Sequence, residues 1–170
     1  MHAREQLLRR RICWMTWIMI LGLAVAGLTA IPLETELAWV ARGLGVSAPS
    51  AVPVSGLAAW IGHVYQALHA TNTHYPFLSY GYDWLAFGHV VIAIAFVGAL
   101  RDPVRNRWLF DFGMIACVLI IPWALGFGSL RGIPLGWRVI DCLFGIFGLI
   151  PLWIARRDVQ ELERGGNGLL

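Results

Sequence analysis

Residues 12–33, ICWMTWIMILGLAVAGLTAIPL, contain no charged side chain and decide the class of this protein. A helix rises about 1.5 Å per residue, so a run of this length crosses the hydrocarbon core of a bilayer, which is about 30 Å thick. Within the run Gly22, Ala26 and Ala30 recur at four-residue spacing, a pattern typical of membrane helices that pack closely. The sequence therefore predicts a first transmembrane helix over 12–33.

A cleaved signal peptide is the alternative interpretation of the same run. Arginines precede it, and the triplet Ala24, Val25 and Ala26 has the small residues of a signal-peptidase site. However, the apolar run continues beyond the triplet to Leu33. A retained helix accounts for more of the sequence and is favoured.

Three further apolar runs, at 84–100, 112–130 and 137–155, are each bounded by Trp or Arg, as expected where amphipathic side chains meet lipid headgroups. The segments between them, RDPVRNR and RGIPLG, are short, so successive helices should be antiparallel neighbours. We predict an all-α membrane protein with a single domain over 1–170, built as an up-and-down bundle of four transmembrane helices.

The region 34–82 is mixed in polarity and is predicted to form the first outer loop. Residues 34–44 and 56–72 show the pattern of amphipathic helices, and a Ser, Pro and Ala linker at 47–55 separates them. Trp60, Val64, Tyr65 and Leu68 recur at helical spacing. The second amphipathic helix is therefore expected to lie against the membrane or to cap the bundle.

The arginines predict the orientation. All 13 cationic side chains are Arg; ten flank the spans on one side, and only Arg42, Arg131 and Arg138 fall on the other. Because positive residues favour the cytoplasmic side, we expect a multi-pass protein of the bacterial inner membrane with both termini in the cytoplasm. The arginines form no single basic face, so nucleic acid is not expected as a partner. The expected partners are the lipid bilayer and either other membrane subunits or a second copy of the chain.

The three cysteines lie in or beside apolar runs, far apart and without a CxxC pair; they are Cys13, Cys117 and Cys142. This spacing argues against a thiol oxidoreductase and against a zinc site built on cysteine. We expect buried, unreactive thiols.

Ionisable residues at membrane depth are the candidates for a functional site, because burying them is costly. Five residues at the outer side of the spans form the predicted polar pocket: Asp83, His89, Arg131, Arg138 and Asp141. Arg138 and Asp141 are three residues apart and should pair on one helix face. Asp83 should cap the second span and could share Arg131 or Arg138.

His89 is the deepest of the five candidates. It could bind haem or a metal, relay a proton or donate a hydrogen bond to a quinone, and a structural hydrogen bond to a neighbouring helix is an equally open interpretation. No second histidine lies inside a span, so haem with two histidine ligands is not expected, and no cofactor is predicted. On the cytoplasmic side, Asp111 is expected to pair with the arginines of the 101–107 loop.

His63, His69 and His74 are weak candidates for a zinc or copper site with Asp83. His63 and His69 are six residues apart, which turns them away from a common helix face, and the His pair at four-residue spacing is missing. No metal site is predicted.

At RDPVRNRW (101–108), FGMIAC (112–117) and RGIPLGWRVIDCLFG (131–145) the chain resembles a group of small, uncharacterised bacterial membrane proteins with four helices. The resemblance covers about residues 75–152 and implies the four-helix fold but no activity. Disulfide-forming quinone reductases need paired cysteines, and lipoprotein signal peptidases carry an asparagine-containing aspartate motif. Neither feature is present in this sequence.

The few polar groups and the small-residue faces favour a non-enzymatic subunit or accessory of a larger membrane assembly. Gly145 and Gly148 continue the Asp141 face of the last span, as a close helix contact requires. One alternative is a redox or intramembrane enzyme that uses the polar pocket. A small transporter is a second alternative, which the absence of repeats in the sequence disfavours.

Overall fold

The computed structural model describes residues 2–47 and 56–167, and these residues form six α-helices and one short 3-10 helix. The helices are α1 (His2–Ala30), α2 (Leu33–Gly43), α3 (Gly56–His74), α4 (Tyr80–Arg101), α5 (Trp108–Leu130) and α6 (Leu135–Asn167); the 3-10 helix is Pro76–Ser79. The predicted linker at 47–55 lies, apart from Ser47, outside the described residues.

Four of these segments are long and apolar enough to cross a membrane: Ala3–Ala30, Pro76–Arg101, Trp108–Leu130 and Leu135–Gly165. The prediction of four such helices is confirmed. Two helices extend beyond the predicted spans: α1 begins ten residues before Ile12, and α6 continues twelve residues beyond Ala155. Both extensions are rich in charged residues. An apolar run therefore indicates the part of a helix that can enter the hydrocarbon core, and not the full length of the helix.

The chain divides into two compact units, Met1–Gly22 with Ile92–Leu170, and Leu23–Val91. In the first unit α5 and α6 run antiparallel and approach closely at glycines. A Cβ added at Gly145 would overlap the carbonyl oxygen of Cys117, and one added at Gly113 would lie 2.9 Å from the side chain of Leu152. The close contact predicted at Gly145 and Gly148 is therefore present, and it is made to α5.

Gly132 ends α5 and starts the return to α6. Its φ of 69° is accessible to glycine without steric cost. The amide of Ile133 donates to the carbonyl of Gly128 at 2.8 Å, and that of Gly132 donates to Ser129 at 3.1 Å. These are the two hydrogen bonds of a Schellman cap, which allow the helix to end within a short turn.

The second unit contains the two amphipathic helices predicted between residues 34 and 82. After α2, Gly45 adopts a φ of 71° and turns the chain so that Val46 returns onto α3. There a Cβ on Gly62 would lie 2.9 Å from the carbonyl oxygen of Val46. Helix α3 packs against α2 and the 3-10 helix, and its predicted apolar stripe is half-buried: Trp60, Val64, Tyr65 and Leu68.

Candidate functional site

The residues of the predicted polar pocket belong to different units of the structure. Asp83 and His89 are on α4 in the second unit, whereas Arg131, Arg138 and Asp141 are in the first.

His89 is half-buried on α4, about two and a half turns after that helix begins at Tyr80. Its Nδ1 donates to the carbonyl oxygen of Leu85, four residues earlier, at 2.8 Å. Helix α1 approaches α4 at this point, because a Cβ on Gly27 would lie 3.0 Å from the Cβ of His89 and 2.8 Å from the carbonyl oxygen of Ala86. The imidazole thus bonds to its own helix at one nitrogen and leaves Nε2 for another partner. Asp83 is exposed in the first turn of α4.

Arg138 does not form the predicted ion pair with Asp141 in the described structure. Its side chain extends across Gly128, where an added Cβ would lie 2.5 Å from the arginine Cδ, and its Nη1 donates to the carbonyl oxygen of Leu125 at 3.3 Å. Because Gly128 has no side chain, the arginine side chain has room to lie against α5, and its guanidinium points away from Asp141 on α6. Asp141 is half-buried, and Arg131 is exposed.

Asp158 is the carboxylate that the sequence reasoning missed. It is fully buried, at 0% exposure, and accepts two hydrogen bonds from Arg11, one of them from Nε at 2.5 Å. A planar guanidinium matches a carboxylate in this two-bond arrangement. The pair joins the first turns of α1 to the last turns of α6. Asp158 was overlooked because it follows the predicted end of the span, and the two residues lie too far apart in sequence for spacing to reveal them.

Asp111 pairs with Arg156 of α6, at 2.7 Å between Oδ1 and Nε. The prediction that Asp111 pairs with the arginines of the 101–107 loop is wrong, because the antiparallel packing of α5 on α6 places Arg156 directly opposite. Arg107 of that loop instead pairs with Glu163 at 2.9 Å. Three chain segments are therefore joined at the arginine-rich end of the first unit.

A second polar network that the sequence reasoning missed lies in the second unit and centres on Glu34 of α2. One carboxylate oxygen accepts from Nδ1 of His69 at 2.6 Å, and the other accepts from the amide of Asn72 at 2.5 Å. Asn72 also accepts a hydrogen bond from Ser79 and lies 3.4 Å from the hydroxyl of Tyr82. These contacts tie the first turn of α2 to α3, to the 3-10 helix and to the start of α4.

The hydrogen bonds from His69 and Asn72 hold the pKa of Glu34 below its ordinary value of 4.5, because both donors favour the ionised carboxylate. Glu34 is 32% exposed at its side chain and His69 60%. Sequence spacing alone could not reveal the network, because its members come from four separate elements.

The three histidines proposed as weak metal ligands bond to different partners. His69 contacts Glu34, and Nδ1 of His74 donates to the carbonyl oxygen of Ala70 at 2.9 Å. The ring of His63 lies 5.7 Å from that of Trp60. Within residues 2–47 and 56–167, no three His, Cys, Asp or Glu side chains group closely enough to hold a metal ion.

The cysteines divide into two environments. Cys117 and Cys142 are buried, as predicted, whereas Cys13 is exposed on α1. The prediction for Cys13 is wrong because an apolar run fixes only the depth of a residue in the membrane. It does not fix whether the side chain points to another helix or outward.

No protein family, curated protein or solved structure matches this chain. In the first unit the ion pairs of Arg4, Arg11, Arg107 and Arg156 join different chain segments, a use of charge that fixes helices in place. In the second unit the Glu34 network likewise links elements, with the His69 side chain 60% exposed.

Proposed function

We propose that this protein is a multi-pass protein of the bacterial inner membrane that serves, without catalysis of its own, as a subunit or accessory of a larger membrane assembly. The observation that carries the proposal is the unequal use of glycine in the spans. Gly27, Gly113 and Gly145 sit where a helix of this chain approaches closely. At Gly22 and Gly126 an added Cβ would meet no atom of the described chain within 4 Å.

Small residues in membrane helices allow a second helix to approach closely. On α1, Gly22 and Ala26 are exposed and continue one face at four-residue spacing. A helix from another subunit, or from a second copy of this chain, would fill that face. The ion pairs support a structural role for the charged residues, since Arg11 with Asp158 and Arg156 with Asp111 each join two helices.

The test measures the assembly mass of the intact protein, extracted with its native lipids into nanodiscs. After the mass of the lipid and of the nanodisc belt is subtracted, we expect a protein mass larger than that of one 18.9 kDa chain. Gly22→Leu should release the monomer, because a branched side chain blocks helix approach at that face. Ala116→Leu, at an exposed position on α5, is the matched control and should leave the assembly intact. A monomer in native lipid would contradict the proposal.

The same purified protein distinguishes the enzyme alternative. An absorption spectrum with a chromophore, or a stoichiometric metal in elemental analysis, would support a redox role around His89 in place of the assembly role. We expect neither signal.

A further inference from the structure

Helix α2 and the residue that follows it expose large apolar side chains, although α2 is not one of the four helices long and apolar enough to span a membrane. Trp39 is 65% exposed, Val40 47% and Leu44 48%. The opposite side of the helix faces the rest of the unit, with Ala41 buried and Glu34 bonded to α3. The exposed side chains along most of α3 are small or polar, in contrast: His63, Gln66, Ala67, Ala70 and Thr73. The exposed surface of α2 therefore carries large apolar side chains, whereas that of α3 beyond Leu57 is small or polar.

The short connection from α1 to α2 places the start of α2 at the end of the first apolar helix. Only Ile31 and Pro32 separate it from α1, so its first turn lies at the boundary that α1 reaches. The Glu34 network then fixes the same turn to Ser79 and Tyr82, at the entry of α4. The start of α2 is thus level with the ends of two apolar helices.

Aromatic side chains mark that same level. Phe77 of the 3-10 helix is 71% exposed, Tyr80 62% and Trp84 56%. Tyr80 and Trp84 meet edge to face with ring centroids 5.8 Å apart. Tyr and Trp concentrate where the hydrocarbon core meets the headgroups, because their rings are apolar with a polar tip. This aromatic group lies in the same stretch of chain as Ser79 and Tyr82, which contact Asn72, the partner of Glu34.

We propose that α2 lies in the interface of the leaflet where α1 ends, with Trp39, Val40 and Leu44 inserted among the lipid chains and α3 on the water side. The occupant is lipid because α2 follows a span after two residues and its first turn is linked through Asn72 to the entry of a second apolar helix. Arg42 is exposed beside this face, and its Nε donates to the carbonyl oxygen of Ala38 at 3.1 Å. The rest of its guanidinium can bind a lipid phosphate, as arginines do at membrane surfaces.

The inference rests on the membrane-spanning assignment, so the experiment tests both. Nitroxide labels are placed on the full chain in nanodiscs, in a background that carries Cys13→Ser, Cys117→Ala and Cys142→Ala. Val40→Cys and Leu44→Cys report α2, and Gln66→Cys and Ala70→Cys are matched exposed positions on α3. Val118→Cys, exposed on α5, reports the span. Collisions with oxygen and with a water-soluble nickel complex give the depth of each label.

We expect labels at 40 and 44 to favour oxygen and those at 66 and 70 to favour nickel, so that the depth parameter has opposite signs on the two helices. Labels at 40 and 44 that respond to nickel as strongly as those on α3 would overturn the inference. So would labels shielded from both reagents, because another protein would then cover the face. A nickel-accessible label at 118 would overturn the spanning assignment and the position of α2 with it.

Discussion

The buried carboxylate of Asp158 accepts two hydrogen bonds from the guanidinium of Arg11, yet the two partners differ in exposure. The Asp158 side chain is 0% exposed and that of Arg11 49%. Losing Arg11 would leave a buried charge without a partner, whereas losing the charge of Asp158 would leave an arginine that water and headgroups can reach. The two halves of this ion pair therefore contribute unequally to stability.

Arg11→Gln should lower the free energy of unfolding by about 3–5 kcal/mol, the range for removing one partner of a buried pair. Asp158→Asn should cost only about 1–2 kcal/mol, since the asparagine can still accept one hydrogen bond. The measurement is unfolding by denaturing detergent in mixed micelles. Arg9→Gln is the control, because its pair with Glu5 is exposed on both sides and should contribute below about 1 kcal/mol. Equal costs for Arg11→Gln and Asp158→Asn would contradict the asymmetry.

Gly145→Ala and Gly148→Ala should differ although both glycines face Cys117. The Cβ of the first would overlap a backbone carbonyl, which cannot move without separating α5 from α6. The Cβ of the second would lie 3.0 Å from the sulfur, a side-chain atom. We expect Gly145→Ala to cost about 1–3 kcal/mol, as overpacking does, and Gly148→Ala to cost less.

Combining Cys117→Ala with each glycine variant tests which atom of Cys117 limits the approach of α6 to α5. Removing the sulfur should restore most of the stability lost in Gly148→Ala and none of that lost in Gly145→Ala. Thermal unfolding in detergent measures both. Recovery of Gly145→Ala by Cys117→Ala would show that the sulfur, and not the backbone, sets the helix separation.

The second unit should lose stability in acid through Glu34. Because its pKa is lowered in the folded state, the ionised carboxylate stabilises the fold above its ordinary pKa of 4.5, and this contribution is lost as the pH falls through the lower folded pKa. Hydrogen exchange of the α2 amides, corrected for intrinsic rates, should show declining protection below pH 4.5. We expect a total loss on the order of 1 kcal/mol.

Glu34→Gln should lower the protection of α2 at neutral pH and remove its dependence on acid. Glu36→Gln, two residues along the same helix, is the matched control and should keep the acid response of the wild type. An unchanged acid response in Glu34→Gln would show that another group titrates.

The orientation can be tested with two exposed positions, Gln66 on α3 and Arg105 in the α4–α5 loop. In a chain without native cysteines, Gln66→Cys should react with an impermeant maleimide added outside spheroplasts. Arg105→Cys should react only after the membrane is opened, because the arginine-rich end is expected to face the cytoplasm. Labelling of both from outside would contradict the proposed topology.

Sequence reasoning could find the apolar helices because hydropathy depends on composition over a long window. It also found Gly145 and Gly148, since small residues at one helix face indicate close approach whatever the partner. It missed Asp158 and Glu34 because their partners come from distant segments. Spacing along a helix reveals ion pairs only within that helix. Even within α6 the predicted pair is not formed, because Arg138 donates to the carbonyl of Leu125 on α5 and not to Asp141.

Because Arg138 bonds to Leu125, substitution of Asp141 tests directly whether the predicted pocket contains a stabilising ion pair. It is half-buried and makes no ion pair within residues 2–47 and 56–167. A charge at membrane depth without a partner is penalised by desolvation. Asp141→Asn should therefore leave the melting temperature in detergent unchanged or raise it. Asp111→Asn is the matched control: it should lower the melting temperature, because Arg156, 17% exposed, would lose its partner. A large loss of stability in Asp141→Asn would restore the ion-pair interpretation of this residue.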